Sequence, residues 1–129
     1  MTQSSKSVTV GWFEIPVKDM GRAIKFYNSI FDTHLNIQSI QGVEMAFFPW
    51  NEEEKGAGGS LIKADDHYKP SHDGTLIYFS SDDVNIELKR IKKAGGNILQ
   101  KKTEITPDIG FMALIEDTEG NRIALHSKK

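Results

Sequence analysis

Glu14 stands in the middle of the run VTVGWFEIPVKD, residues 8–19, two positions after Trp12. A carboxylate in such a place can act as a general acid or base, or can orient the polar end of a ligand, if its surroundings tune it. The run is rich in β-branched and aromatic residues and reads as a strand, so its side chains alternate between two faces. Thr9, Gly11, Phe13, Ile15 and Val17 make one face, which reads as core; Val8, Val10, Trp12 and Glu14 make the other. If that second face met water, Trp12 would be wasted. If it met packed core, Glu14 would need a partner or a raised pKa. A face lining a cavity would use both residues.

The remaining chemistry rests on four histidines, because the chain has no cysteine and therefore no disulfide, thiolate metal site or cysteine nucleophile. His34 precedes a strand and reads as surface. Asp65, Asp66 and His67 carry metal-binding donors, but they and His72 share the loop ADDHYKPSHDG with no third fixed element, which reads as a solvated linker. His126 lies in RIALHS near the end of the chain. The acidic run NEEE at 51–54 reads as solvated surface. TEGN at 118–121 reads as a tight turn with Gly120 at positive φ, and no helix follows it to make a phosphate site.

The elements that must position these residues fall into two similar halves. After the first strand, Asp19 is placed to cap a helix whose stripe is Met20, Ala23, Ile24, Tyr27, Ile30 and Phe31. Strands are predicted at 34–40, 43–50 and in SLIKA. A second set begins with the strand TLIYFSS. A helix capped by Asp83 follows, with Val84, Leu88, Ile91 and Ala94 as its stripe and Gly95-Gly96 as its stop. Strands near 97–101, in FMALIED and in RIALHS complete that half. An offset of 64 residues maps Asp19 onto Asp83, Ile24 onto Leu88, Leu35 onto Leu99 and Gly56 onto Gly120. The chain therefore reads as a duplicated βαβββ unit.

At 129 residues this is a single domain, 1–129, large enough to bury a core without covalent staples. A net charge of -2 provides no basic footprint for nucleic acid and no polybasic membrane patch. No apolar run is long enough to span a bilayer, and MTQSSKSVTV has no leader-like apolar core, so a cytoplasmic protein is expected.

The duplication, the helix opening DMGRAIKFYNSIFD and the ending EDTEGNRIALHS resemble the vicinal oxygen chelate superfamily. This group holds glyoxalase I, the extradiol dioxygenases and the bleomycin-resistance proteins. WFEIPVKD, PSHDGTLIYFSSDDV and the C-terminal run are similar to its bacterial glyoxalase-like members in particular. The resemblance implies an α+β fold of two tandem βαβββ modules, 7–65 and 73–128. Their eight strands would curl into an open, barrel-like mixed sheet around a cavity, with the helices outside. Metal-dependent members hold a divalent ion with four side chains, one from the first and one from the last strand of each module. Carried onto this chain, those positions fall on Trp12, Ser60, Leu76 and Ala124, which cannot make such a site. A set shifted one layer along would be Glu14, Ile62, Tyr78 and His126, with only two ordinary ligands.

The resulting expectation is a metal-independent protein, without cofactor, that binds or transforms an unidentified small molecule. Trp12, Glu14, Ser60, Leu76, Tyr78, Ala124 and His126 are its ligand-binding candidates. One of Phe47 and Phe48 and one of Phe111 and Met112 are expected to join them. Glu14 and His126 are the candidate acid–base pair if they approach, and otherwise form part of a satisfied polar cluster. The alternatives are a metal-dependent lyase, isomerase or dioxygenase like glyoxalase I, and a drug-sequestering protein like the bleomycin-resistance group. Exposed sheet edges lead to the expectation of a homodimer, formed with or without exchange of modules.

Overall fold

The computed structural model describes residues 5–64 and 68–129; the expected donors Asp65, Asp66 and His67 lie outside them. The chain runs β1 (Trp12–Pro16), α1 (Met20–Phe31), β2 (Asn36–Ile40), β3 (Val43–Phe47), β4 (Gly58–Lys63), β5 (Tyr78–Ser80), α2 (Val84–Ala94), β6 (Asn97–Thr106), β7 (Gly110–Glu116) and β8 (Arg122–Ser127). The order β-α-β-β-β thus occurs twice. The strands form two four-stranded sheets of matching topology, β1-β4-β3-β2 and β5-β8-β7-β6, each with its first strand parallel to its last. β1 and β5 do not pair, so the eight strands make two sheets that do not close. Among the described residues no helix is long and apolar enough to cross a membrane.

Both helices begin as the sequence predicts. Asp19 Oδ1 accepts from the Arg22 amide at 3.0 Å, and Asp83 Oδ1 accepts from the Asn85 amide at 3.0 Å. α2 ends on Gly95 at φ 102°, while α1 ends on Asp32, a non-glycine residue in the left-handed region at φ 49°. The stripe of α1 differs from the predicted one by Phe26, which is fully buried, whereas Ile24 and Phe31 are only partly covered. The reason is tertiary. α1 packs both on its own sheet and against the second module, where the Phe26 ring lies so close to Gly96 that a Cβ there would meet it at 2.6 Å.

Some strand limits also differ. β6 extends to Thr106 instead of ending near 101: KKTEIT lacks the apolar alternation that would signal a strand, and gains its pairing from β7 through a ladder with register shifts. β5 is shorter than TLIYFSS, pairing with β8 only over Tyr78–Ser80. A single apolar core joins the two modules, with Ile15, Val17, Ala23, Phe26, Tyr27 and Leu61 of the first meeting Val84, Ile91, Ile115, Ile123 and Leu125 of the second.

Where the modules meet, the β7–β8 turn docks on the start of α1. Glu119 Oε1 accepts the amides of Lys18 and Asp19, both at 2.8 Å, and Arg22 Nε donates to Glu119 Oε2 at 2.7 Å. Asn121 Nδ2 donates to the Pro16 carbonyl at 2.8 Å, and the Tyr27 hydroxyl donates to Asp117 Oδ2 at 2.7 Å. Full burial, and after it the neighbouring Asp117 charge, pushes the Tyr27 hydroxyl well above its usual range. Burial of Glu119, only 4% exposed, would by itself push its carboxyl up. The donors Arg22, Asp19, Lys18 and Thr118 outweigh that and hold it at about 2.

Glu119 titrates lower in the folded chain than in the unfolded one, so its stabilisation is complete above about pH 5 and is lost as pH falls toward 2. Half-exposed Arg22 screens the pair, so replacing Glu119 with Gln is expected to cost about 2–3 kcal/mol at neutral pH. Denaturant melts of both proteins from pH 7 to pH 2 check this. The difference between them should narrow steadily with acid; a difference independent of pH would contradict it.

Candidate functional site

The second face of β1 is neither packed core nor plain surface. Ile15 and Val17 are buried under the helices, and Phe13 packs on the same side, its ring lying flat over Gly59. A Cβ at Gly59 would stand 2.4 Å from that ring, which is why a glycine is required there. Trp12 points the other way and packs on Phe47, with ring centroids 5.6 Å apart. Phe48 turns inward instead, joining Phe13, Tyr27 and Phe79 at centroid separations of 5.4–5.6 Å. Of the pair left open in the sequence, Phe48 lines the cleft between the modules, whereas Phe47 packs on Trp12 outside its lining.

The unpaired gap between β1 and β5 opens into a cleft of about 950 Å³. Trp12, Trp50 and Tyr78, 44%, 55% and 51% exposed, provide three aromatic side chains of its wall. Trp12 and Trp50 converge over Gly58, where an added Cβ would lie 3.2 Å from each ring. Trp50 Nε1 donates to the Gly56 carbonyl at 3.3 Å, fastening the indole to the loop before β4. That loop, the run NEEEKG included, forms the outer wall and contributes Glu54 and Lys55. Nothing in the strand patterning pointed to Trp50; a second tryptophan beside a polar glycine-rich loop was the available signal.

Glu14 lines this cleft and also a smaller cavity of about 120 Å³ next to it. It is exposed, and among the described residues its carboxylate has no hydrogen-bond partner. The reading of Glu14 as a satisfied member of a buried polar cluster does not match this position, because the separation of the two sheets opens its face to solvent.

The other expected residues are distributed unequally. Leu76 and Tyr78 line the cleft with Trp12 and Glu14. Ser60 stands opposite Glu14 in the β1–β4 ladder and is fully buried, with an Oγ that lacks a hydrogen-bond partner. Ala124 stands between Tyr78 and Leu114 and is also fully buried, outside the cleft lining. His126 pairs in register with Ser80 and Met112, and its Nε2 donates to the Ile109 carbonyl at 2.7 Å. It does not line either cavity that Glu14 lines. Met112 lies opposite His126, while Phe111 is covered by Lys102, whose Nζ is 4.6 Å from the ring centroid. His34 is exposed, and His72 pairs with Glu116 at 2.6 Å.

The positions where the resemblance would put metal ligands offer one neutral hydroxyl, Ser60, beside the side chains of Trp12, Leu76 and Ala124. This donor set does not fit a divalent cation. In the shifted set, Glu14 and His126 are the ordinary ligands, and His126 is engaged by Ile109. No cluster of three or more His, Asp or Glu able to hold a metal occurs among the described residues.

Comparison with known proteins accords with this architecture. A glyoxalase I mutant from Zea mays superposes with a TM-score of 0.71 at 20% identity, over 94% of this chain and 45% of that one. The chain thus spans about half the length of the maize enzyme. The trypanothione-dependent glyoxalase I of Leishmania major superposes at 0.69 and 21% identity, over 95% and 88% of the two chains. TnmS3, an antibiotic binding protein from Streptomyces sp. CB03234, superposes at 0.62 and 22% identity, over 98% and 100%. At these identities the likeness is one of fold. No curated protein matches the chain. Residues 9–125 match the sequence pattern of one family across nearly the whole length, and the chain belongs to the Glyoxalase/Bleomycin resistance protein/Dioxygenase superfamily.

Proposed function

We propose that this protein binds a small organic molecule in the cleft between its modules and does so without a metal ion. The carrying observation is the cleft itself, walled by Trp12, Trp50 and Tyr78, with Glu14 as an unpaired carboxylate on the same face. Aromatic walls with a few polar groups are the usual composition of a small-molecule site. Planar rings offer flat, apolar contact, and Glu14 accepts a hydrogen bond or a positive charge. Of the other candidates Leu76 lines the same cleft, whereas Ser60, Ala124 and His126 stand on β4 and β8 outside its lining. A drug-sequestering role, as in the bleomycin-resistance group, needs only such a pocket, and the fold shared with an antibiotic binding protein is compatible with it.

A second reading makes the protein a metal-free enzyme in which Glu14 is the acid or base and His126 its partner. It requires His126 to exchange the Ile109 carbonyl for a group in the cleft. The metal-dependent alternative is disfavoured by the donors at Trp12, Ser60, Leu76 and Ala124. We further propose a cytoplasmic homodimer. Its support is the row of exposed apolar residues on the edge strands, Ile37 and Ile40 on β2 and Ile98, Leu99 and Ile105 on β6.

Three measurements test these readings. Nickel or zinc added to purified protein should leave its melting temperature unchanged, because an ion bound only by the folded chain would raise it. One-to-one binding lost on replacing Glu14 or His126 would overturn the metal-free reading. Glu14→Gln should leave stability within about 0.5 kcal/mol, since the carboxylate is exposed and unpartnered, while weakening retention of whatever copurifies in the cleft. A destabilised variant with unaltered retention would point to a structural role. Light scattering at high concentration should give twice the mass of one chain, and a monomer would refute the dimer.

A further inference from the structure

Among the four charged side chains that line the smaller cavity beside the cleft, Glu14 and Arg122 are opposite charges that do not pair with each other. The cavity lining includes Glu14 from β1 and Arg122, Asn121 and Ile123 from the β8 side, together with Lys69, Ser71 and Asp73 of the linker. Arg122 Nε is buried and has no hydrogen-bond partner among the described residues. Its cross-strand neighbour Glu116 is the obvious partner, but one Glu116 oxygen accepts from Asn97 Nδ2 at 2.8 Å and the other lies 2.6 Å from His72 Nε2. Among the described residues Arg122 forms no ion pair, and neither does Glu14. A buried guanidinium nitrogen without a partner is costly, because its lost hydration is not replaced.

Opposite charges sharing a cavity without pairing leave room for a group that brings the complement of each. About 120 Å³ accommodates a few water molecules or one compact polar head group. A carboxylate matches the fork of Arg122, and an ammonium or N–H matches the carboxylate of Glu14. Glu14, Thr75 and Ile77 line both cavities, so a head group seated here continues directly into the aromatic cleft. Lys69 and Asp73 also line this cavity, from the linker, but neither lines the aromatic cleft as Glu14 does.

We propose that the small cavity binds a zwitterionic α-amino-acid head group, its carboxylate on Arg122 and its ammonium on Glu14, with the ligand's aromatic body between Trp12, Trp50 and Tyr78. This assignment rests on the cleft being the ligand site and names the chemical class that site takes.

Calorimetric titration of the whole chain with L-tryptophan, tryptamine, indole-3-propionate and indole tests it. Tryptophan should bind about tenfold or more tightly than tryptamine or indole-3-propionate, each of which lacks one charge. Arg122→Gln should weaken tryptophan and indole-3-propionate while leaving tryptamine unchanged. Glu14→Gln should weaken tryptophan and tryptamine while leaving indole-3-propionate unchanged. Should Arg122→Gln fold poorly, Arg122→Lys keeps the charge without the fork and should show the same selectivity in reduced form.

Equal binding of all four compounds by the wild type would overturn the head-group pocket and leave the cleft reading standing, because indole reaches only the cleft. Binding of none would overturn the head-group assignment, while the cleft reading is decided separately by the retention comparison of Glu14→Gln with the wild type. Equal weakening of every compound by one variant would also overturn the head-group assignment, since a disturbed fold does not distinguish the charges.

Discussion

The carboxylate of Glu119 ties together the parts of the molecule on which the site depends. It belongs to the turn between β7 and β8, yet its partners are the backbone at the start of α1 and the guanidinium of Arg22. Two backbone N–H groups and a charged side chain converge on one nearly buried acid, which is a strong arrangement as long as the acid stays ionised. Asn121 and Asp117 extend the junction to Pro16 and Tyr27. These bonds are directional where the shared apolar core is not. They set the position of β1 relative to the second sheet, and with it the width of the gap in which Glu14 and Trp12 lie.

The junction has no counterpart on the other side of the duplication. With the 64-residue offset, the β7–β8 turn corresponds to the loop before β4, and Glu119 corresponds to Lys55. Among the described residues no hydrogen bond joins that loop to the start of α2. The loop stands away from α2 and, with Trp50, walls the cleft. One turn of the duplicated fold has become a clamp and the other the wall of the cleft. An acid matched to amides and an arginine can dock; a lysine in the same place cannot accept from a helix's first amides.

Much of this architecture is legible in particular residues. Asp19 and Asp83 announce the two helices because a side-chain oxygen before an apolar stripe satisfies free amides at a helix start. Alternation in WFEIP separates the core face from the site face, since a strand has no other way to distribute its side chains. Trp12, Ser60, Leu76 and Ala124 lack the chemistry of a metal site by residue type alone. Phe26, the full length of β6 and the role of Trp50 are not legible in this way. Each depends on a contact with chain distant in sequence: Gly96 against Phe26, β7 against β6, and Trp12 beside Trp50 over Gly58.

The sequence by itself determined the duplicated βαβββ order, the helix caps, the strand faces and the donor types present at each position, because these follow from local periodicity and side-chain chemistry. Tertiary structure decided which of those donors share a space. It left Glu14 unpaired on an open face, engaged His126 with Ile109, and gave Glu116 to His72 and Asn97 so that Arg122 remained free among the described residues. The physical reason is competition: a polar group takes the partner that the packed chain brings within about 3 Å, and sequence spacing says little about which partner arrives.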